Sequence, residues 1–574
     1  MIDPITLAVV RNNLISVANG MQETAFRCAV TTLMYEIRDC AFSLLDNDCG
    51  VIAQSRGLIG FLGSLGPATR NCVDAVGPKN FKPGDVVIST TPQFTGSHSA
   101  DVLLFTPLFY RDELFGYAAT KSHLADLGAR SSFPTDSRSI YEEGLHLPPV
   151  KIYKAGNLEP EIWEIIKWNS RAPGLVWGDL QALISGCHFA ERRLAELLDK
   201  YGIEMVNACI EEMYNYGERM TRLAIQEMPD GTWTAEDYLD SNGIELDKPV
   251  LTRVTITIQG SDITLDFSGS APEQIGPVNG TFIQALSSCR GVVKAITTPD
   301  LPANEGCFRP VKVIAPEGTV YNPSPTAPSF MYFQLSINLI ELINKALYQV
   351  IPERIPACSG GDVCGMGYLG VDPETKRFWM TLTPCVIGQG ADLFADGANF
   401  VHPHDTSSAK NAPSEVLEST SPLFIEKVEF IQDSGGAGKR RGGLGSRLHT
   451  RLLTPATFFS FIERGKTPHW GIDGGKEGLR NYALIKSKDK GEFEVLKTTG
   501  IPLDKGDTII GTAGGGGGYG DPLERDLEAV RGDVINGYVS IERAKLDYGV
   551  VIDAGTFEID FEATDKLRRE LKTA

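Results

Sequence analysis

Apolar residues at Leu7, Val10, Leu14, Val17 and Met21 recur at spacings of three and four. They follow Asp3-Pro4, an N-cap and a favoured first-turn proline, so the chain is expected to open with an amphipathic helix. From Cys40 to Gln54 the pattern changes to two short apolar runs separated by Asn47-Asp48-Cys49-Gly50, which predicts a hairpin. A second hairpin is expected to join Asp101–Tyr110 to Leu114–Ser122 through a turn at Arg111-Asp112. Between Pro160 and Met228 the spacing is helical: Gly178-Asp179 reads as the cap of a run through Leu198, and Gly202 breaks it from a run over Ile203–Glu227. Alternation in Val250–Ile258 predicts strands within Asp247–Phe267, followed by helices over Phe282–Thr298 and Ser329–Tyr348. Short strands and glycine turns fill the last third to Leu523, and two polar helices, Leu527–Ile535 and Ser540–Leu546, follow.

This pattern predicts an α+β (mixed α/β) class in a large, interlocked multidomain chain with a short-strand, glycine-rich C-terminal third. The expected regions are an N-terminal α/β region at 1–158, a helical region at 159–245, a central mixed α/β region at 246–400, a β-rich, glycine-rich region at 401–522, and a C-terminal helical tail at 523–574. The chain has 574 residues, which at roughly 150 per domain suggests three or four domains, or fewer large ones.

Composition narrows the function classes. Hydrophobic residues make up 42% and charged residues 22%, enough for a sizeable core. The 60 glycines and 33 prolines favour a site built on loops over a helical bundle. A formal net charge of -19 argues against nucleic acid and anionic lipid as partners. Apolar stretches such as Ile59–Leu65 fall far short of the roughly 18 residues of a membrane span. The 11 cysteines are scattered without a C-x-x-C pair, and Met1-Ile2-Asp3-Pro4 lacks a basic leader, so a cytoplasmic location with reduced thiols is expected.

The sharpest local feature is a doubled spacing, His98-x-x-Asp101 and His123-x-x-Asp126, at the open ends of the second hairpin. Antiparallel pairing would bring the two units together. Imidazole and carboxylate suit Zn, Mn or Fe(II), so the set reads either as a metal site or as polar loop residues capping strands, and spacing supplies no fourth ligand. His402 and His404, in His402-Pro-His404-Asp405, would share one face of a strand, or lie in an exposed loop. His188 and His449 read as packing or surface residues, and His146 is uninformative. Gly515, Gly517 and Gly520 formally satisfy G-x-G-x-x-G, but no βαβ unit closes around them. A flexible backbone approaching a substrate or another chain is the expected role. The glycines around Lys439-Arg440-Arg441 lack the Ser or Thr of a nucleotide loop, and no G-x-S-x-G elbow is present.

Taken together, these stretches resemble the hydantoinase B family, the B-type subunit or half of ATP-dependent lactam and hydantoin hydrolases, which includes the hydrolytic half of 5-oxoprolinase and relatives in acetone and acetophenone carboxylases. The resemblance rests on Glu36-Ile-Arg-Asp39, Leu44-Leu-Asp46, His98-x-x-Asp101 running into Pro107, Lys121-Ser-His123-x-Ala-Asp126, Glu143-Gly144 and Gly178-Asp179-Leu180. It continues through Gly276–Gly280, Asn304–Pro310, Asn411–Glu418, Asp433–Gly438 and Gly515–Asp521, nearly end to end. It implies a divalent metal (Zn, Mn or Fe) held by Asp39, His98, Asp101 and His123, with Asp126 orienting His123 or contacting water. It also implies ATP with Mg bound by a separate A-type subunit in a hetero-oligomer.

The function so implied is the B-type subunit of an ATP-dependent cyclic amide hydrolase acting on a hydantoin, lactam or 5-oxoproline-like ring. The alternatives are a subunit of an ATP-dependent ketone carboxylase and a noncatalytic scaffold for the ATP-binding subunit. The chain departs from the family pattern at Ala41 and Ser99-Ala100, which points to a differently shaped pocket, and at Ser419–Pro422, where a tyrosine-containing continuation is usual.

Overall fold

The opening helix spans Pro4–Cys28, with Asp3 Oδ2 accepting the Thr6 N–H at 3.0 Å as its cap. The structure, a computed structural model, describes residues 2–406 and 408–573. Val10, Leu14, Val17 and Met21 are buried, as their spacing requires. They face a long helix, Pro173–Tyr201, and at Gly20 the two helices come so close that a Cβ would lie 2.2 Å from the Phe189 ring.

Two compact units divide the chain, each assembled from separated stretches. The first comprises Met1–Glu236, Thr252–Ile340 and Asp405–Ala412; the second comprises Asp237–Leu251, Glu341–His404 and Pro413–Ala574. Both are mixtures of helices and sheets, so the α+β class holds.

The first unit centres on an antiparallel sheet of seven strands: β1 (Cys40–Asp46), β2 (Val51–Gln54), β3 (Val86–Ser89), β4 (Asp101–Tyr110), β5 (Glu113–His123), β6 (Val150–Lys154) and β7 (Asn157–Leu158), in the order β2-β1-β5-β4-β3-β6-β7. Side chains alternate across a strand. Phe42, Leu44, Val102, Leu104 and Ala118 therefore pack on one face against Pro4–Cys28 and Pro173–Tyr201, while Ala41, Leu103, Phe105, Tyr117 and Ala119 pack on the other against the helix Ile59–Val76. Both predicted hairpins form. At the tip of the second, Arg111 and Asp112 take φ of 49° and 66°, the paired left-handed conformation of a two-residue turn matched to strand twist.

Gly178 and Asp179 do not cap a helix. The helix begins at Pro173, and both residues lie inside it. Gly178 makes room for Val30, 2.4 Å from where a Cβ would stand, and Asp179 accepts the N–H groups of Val30 and Thr31 at 2.9 and 3.2 Å.

The second unit holds a four-stranded and a five-stranded antiparallel sheet. It ends in Leu527–Ile535, Ile541–Tyr548 and a further helix, Phe561–Thr573, which the sequence pattern does not separate. The glycine run Gly514–Gly518 is not a flexible approach surface. It is buried and threaded between other backbones: Gly436 N–H donates to Gly516 O (2.8 Å), Gly516 N–H to Gly443 O (3.0 Å), Gly388 N–H to Gly514 O (3.0 Å) and Gly517 N–H to Cys358 O (2.8 Å). A Cβ at any of its five positions would stand between 1.8 and 2.3 Å from a neighbouring carbonyl oxygen. Backbone hydrogen bonds, rather than side chains, fill this core.

Candidate metal centre

Three adjacent strands stop at one end of the seven-stranded sheet. β4 begins at Asp101 and β5 ends at His123, directly paired, while β1 begins at Cys40 opposite Ser122. Asp39 therefore stands next to His123, and its carbonyl oxygen accepts His123 N–H at 3.3 Å and Ser122 Oγ at 3.0 Å. The chain reaches Asp39 through a π-helical turn, Leu33–Ile37, and a left-handed Arg38. His98 is folded back over Asp101 by a tight turn closed by Asp101 N–H to His98 O at 3.0 Å. Gly96 (φ 78°) makes the preceding bend, where a Cβ would strike Ile283.

The result is a buried triad. His98 Nε2 and His123 Nδ1 lie 2.9 and 3.0 Å from the same atom, Asp101 Oδ1, and 3.3 Å from each other. Neighbouring donors on a divalent metal bound at about 2.1 Å are separated by about 3 Å, so this donor set and spacing fit such an ion. Burial pushes Asp101 up, but the two imidazoles beside it hold its carboxyl well below the usual carboxylate range. Burial lowers His98; at His123 burial also pulls down, but the hydrogen bond to Asp101 and the charges of Asp101 and Asp39 together raise it. Asp39 is outside the triad itself but close enough to feel His123 and Asp101. Its carboxyl is pushed up to about 7, by burial first, and Oδ1 is buried without a hydrogen-bond partner. That orphaned acceptor is what a cation would satisfy.

Aromatic rings enclose the imidazoles. Phe330 meets His98 edge-on at 4.3 Å and Phe133 stacks on His123 at 5.4 Å. Four further groups stand near the centre, none of which the sequence assigns to it, although Lys121 and Glu143 lie in stretches that carry the family resemblance. Tyr332 OH donates to Asp101 Oδ2 at 2.7 Å. The Lys121 ammonium is fully buried, donates to Ser64 Oγ at 2.8 Å and Thr95 O at 2.5 Å, and is pushed down to about 8 by burial. Asp405 is pushed up to about 7, by burial and then by Asp39. Glu143 accepts Ser137 Oγ at 2.7 Å and the Ser329 N–H at 2.9 Å.

Asp126 is placed elsewhere than in contact with His123. Its carboxylate is gripped by the Arg171 guanidinium, Nε lying 3.1 Å from both oxygens, and also accepts the Gly128 N–H. A saturated carboxylate anchoring a loop has no oxygen left to orient an imidazole. His402 and His404 share no strand face: His404 opens a 3₁₀ turn and lies 3.5 Å from Glu341 within the second unit. His188 pairs with Glu191 on the surface, His449 lies on a strand near Glu429, and His146 bonds Ile140 O. His469, which the sequence does not single out, is buried with Nδ1 2.9 Å from Gly515 O.

A sequence model described as hydantoinase B/oxoprolinase matches residues 3–522. The chain is 33% identical to a protein provisionally named as the B component of a D-/L-hydantoinase from Pseudomonas sp. (strain NS671), over 99% of this chain and 98% of that one. It is also 33% identical to the caprolactamase beta chain of Pseudomonas jessenii, over 98% of each. A crystal structure of that organism's ATP-dependent caprolactamase superposes with a TM-score of 0.92 at 31% identity, covering 99% of this chain and 100% of the matched one. A nucleotide-free acetone carboxylase structure superposes at 0.90 over 100% of this chain and 83% of that one, but at 19% identity this is a likeness of fold alone.

Proposed function

Because the chain belongs to the hydantoinase B/oxoprolinase family, we propose that it is the B-type subunit of an ATP-dependent cyclic-amide hydrolase, completing ring opening of a substrate that a separate A-type subunit activates with ATP and Mg. The observation that carries this reading is the convergence of buried His98 Nε2, Asp101 Oδ1 and His123 Nδ1, in a chain similar along nearly its whole length to a caprolactamase beta chain.

His98, Asp101 and His123 would hold a divalent ion (Zn, Mn or Fe), with Asp39 completing the set. Two carboxylates and two neutral imidazoles would balance its charge. Such an ion, when bound, supplies Lewis acidity toward a carbonyl or a water. The chain's own residues prepare the place for it. Tyr332 occupies Asp101 Oδ2, so that Oδ1 is the oxygen facing both imidazoles. Phe133 and Phe330 cover the imidazoles with apolar rings. The Lys121 ammonium, fixed by Ser64 and Thr95, adds positive charge beside Asp101.

The test is reconstitution with the A-type partner. ATP-dependent opening of a lactam without bicarbonate supports the hydrolase. A strict bicarbonate requirement with ketones would make it a carboxylase component instead. Full turnover by assembled His98→Ala and Asp101→Asn complexes would leave only a scaffold.

A further inference from the structure

The helix Phe282–Thr297 of the first unit begins at a cavity of about 170 Å³. A cavity of about 150 Å³ takes a benzene-sized molecule, so one small ring fits. The polar lining is Asn71, Gln93, Thr281, Asn322, Ser324 and Ser329, none of them charged. Proline, glycine, alanine, isoleucine and one phenylalanine make up the rest. Ser329 is 3% exposed, and its hydroxyl is buried without a hydrogen-bond partner.

Two stretches of the wall run on in sequence to groups of the metal centre. Gln93 lies on the short helix Pro92–Thr95, whose chain continues through Gly96 to His98. Ser329 is followed by Phe330, the ring packed on His98. Two carboxylates stand behind the lining: Glu273 accepts Ser324 N–H at 2.6 Å and Oγ at 3.0 Å, and Glu143 accepts Ser329 N–H.

We propose that this cavity admits uncharged cyclic amides and rejects rings that carry a carboxylate. The inference rests on the hydrolase reading above for its choice of ring chemistry. A ring amide offers one carbonyl acceptor and one N–H donor, which neutral amide and hydroxyl side chains satisfy. An anion would lose its hydration without gaining a paired charge. The partial positive charge of a helix start is about half an elementary charge and is opposed here by Glu273 and Glu143.

2-Pyrrolidinone and 5-oxoproline share one ring and differ by a carboxylate, so they separate the two classes. Binding of each to the complex with its A-type partner, measured by ligand-detected NMR without ATP, reads selection independently of turnover. Wild type is expected to bind 2-pyrrolidinone at least a hundredfold tighter. Gln93→Arg, and Asn322→Lys from another part of the lining, should each narrow that ratio at least tenfold by improving 5-oxoproline, with metal content unchanged. Equal binding of both rings, binding of neither, or a ratio that well-folded Gln93→Arg and Asn322→Lys both leave untouched would overturn the inference. Failure of the hydrolase reading appears separately, as no lactam turnover with ATP.

Discussion

The phenolic hydroxyl of Tyr332 donates to Asp101 Oδ2 at 2.7 Å, across 231 positions of sequence. It leaves Asp101 a single oxygen directed at the two imidazoles. Tyr332→Phe keeps the ring and removes that hold, and loss of such an outer hydrogen bond lowers metal affinity by roughly 10- to 100-fold. Competition against a chromophoric chelator reads the affinity. An unchanged melting temperature of the metal-free protein separates positioning from a packing defect.

Asp101→Asn removes the charge that both His98 and His123 address. Elemental analysis of the assembled complex should show metal falling to about a tenth of wild type or less. Chelation of the wild type should abolish turnover, and a divalent ion should restore it.

His469 sets a pH limit on the second unit. Burial first, then Arg464, push its imidazole down to about 4, against an ordinary 6.5. A depressed folded value means that its stabilising contribution is fully present above pH 6.5 and is lost as pH falls through about 4. The contribution is about 3 kcal/mol at most. Urea midpoints measured between pH 7 and 4 should fall, and His469→Gln should flatten the part of that slope due to this side chain.

Two glycines give opposite outcomes on substitution by alanine. At Gly516 a Cβ would stand 2.0 Å from Gln389 O, a backbone atom with no room to yield, whereas at Gly532 in Leu527–Ile535 nothing lies within 4 Å. Gly516→Ala should destabilise by more than about 4 kcal/mol. Gly532→Ala should stabilise by about 0.5–1 kcal/mol. Thermal melts of both variants check the pair.

Much of the first unit follows from local chemistry alone. The spacing from Leu7 to Met21 produces the opening helix, and the turn at Arg111-Asp112 closes the second hairpin, whose register is then shifted by a bulge between Leu108 and Phe109 so that Asp101 faces His123. The same local reasoning fails at Gly178-Asp179, because a glycine needed for a close approach to Val30 and an acid that binds a distant turn look, in sequence, like a helix cap. It fails at Gly514–Gly518 for a related reason. A run without side chains carries no periodicity, and whether it is loose or packed depends on the backbones that surround it.

Sequence by itself determined the secondary structure of the site-bearing strands, the family resemblance and the residue types available to a metal, since these follow from period, turn propensity and motif. Only the tertiary structure decided that Tyr332 backs Asp101, that Arg171 claims Asp126, and that residues from separate stretches line one uncharged cavity. Those relationships join residues far apart in the chain, and their energy comes from burial and charge proximity, quantities that exist only once the chain has folded.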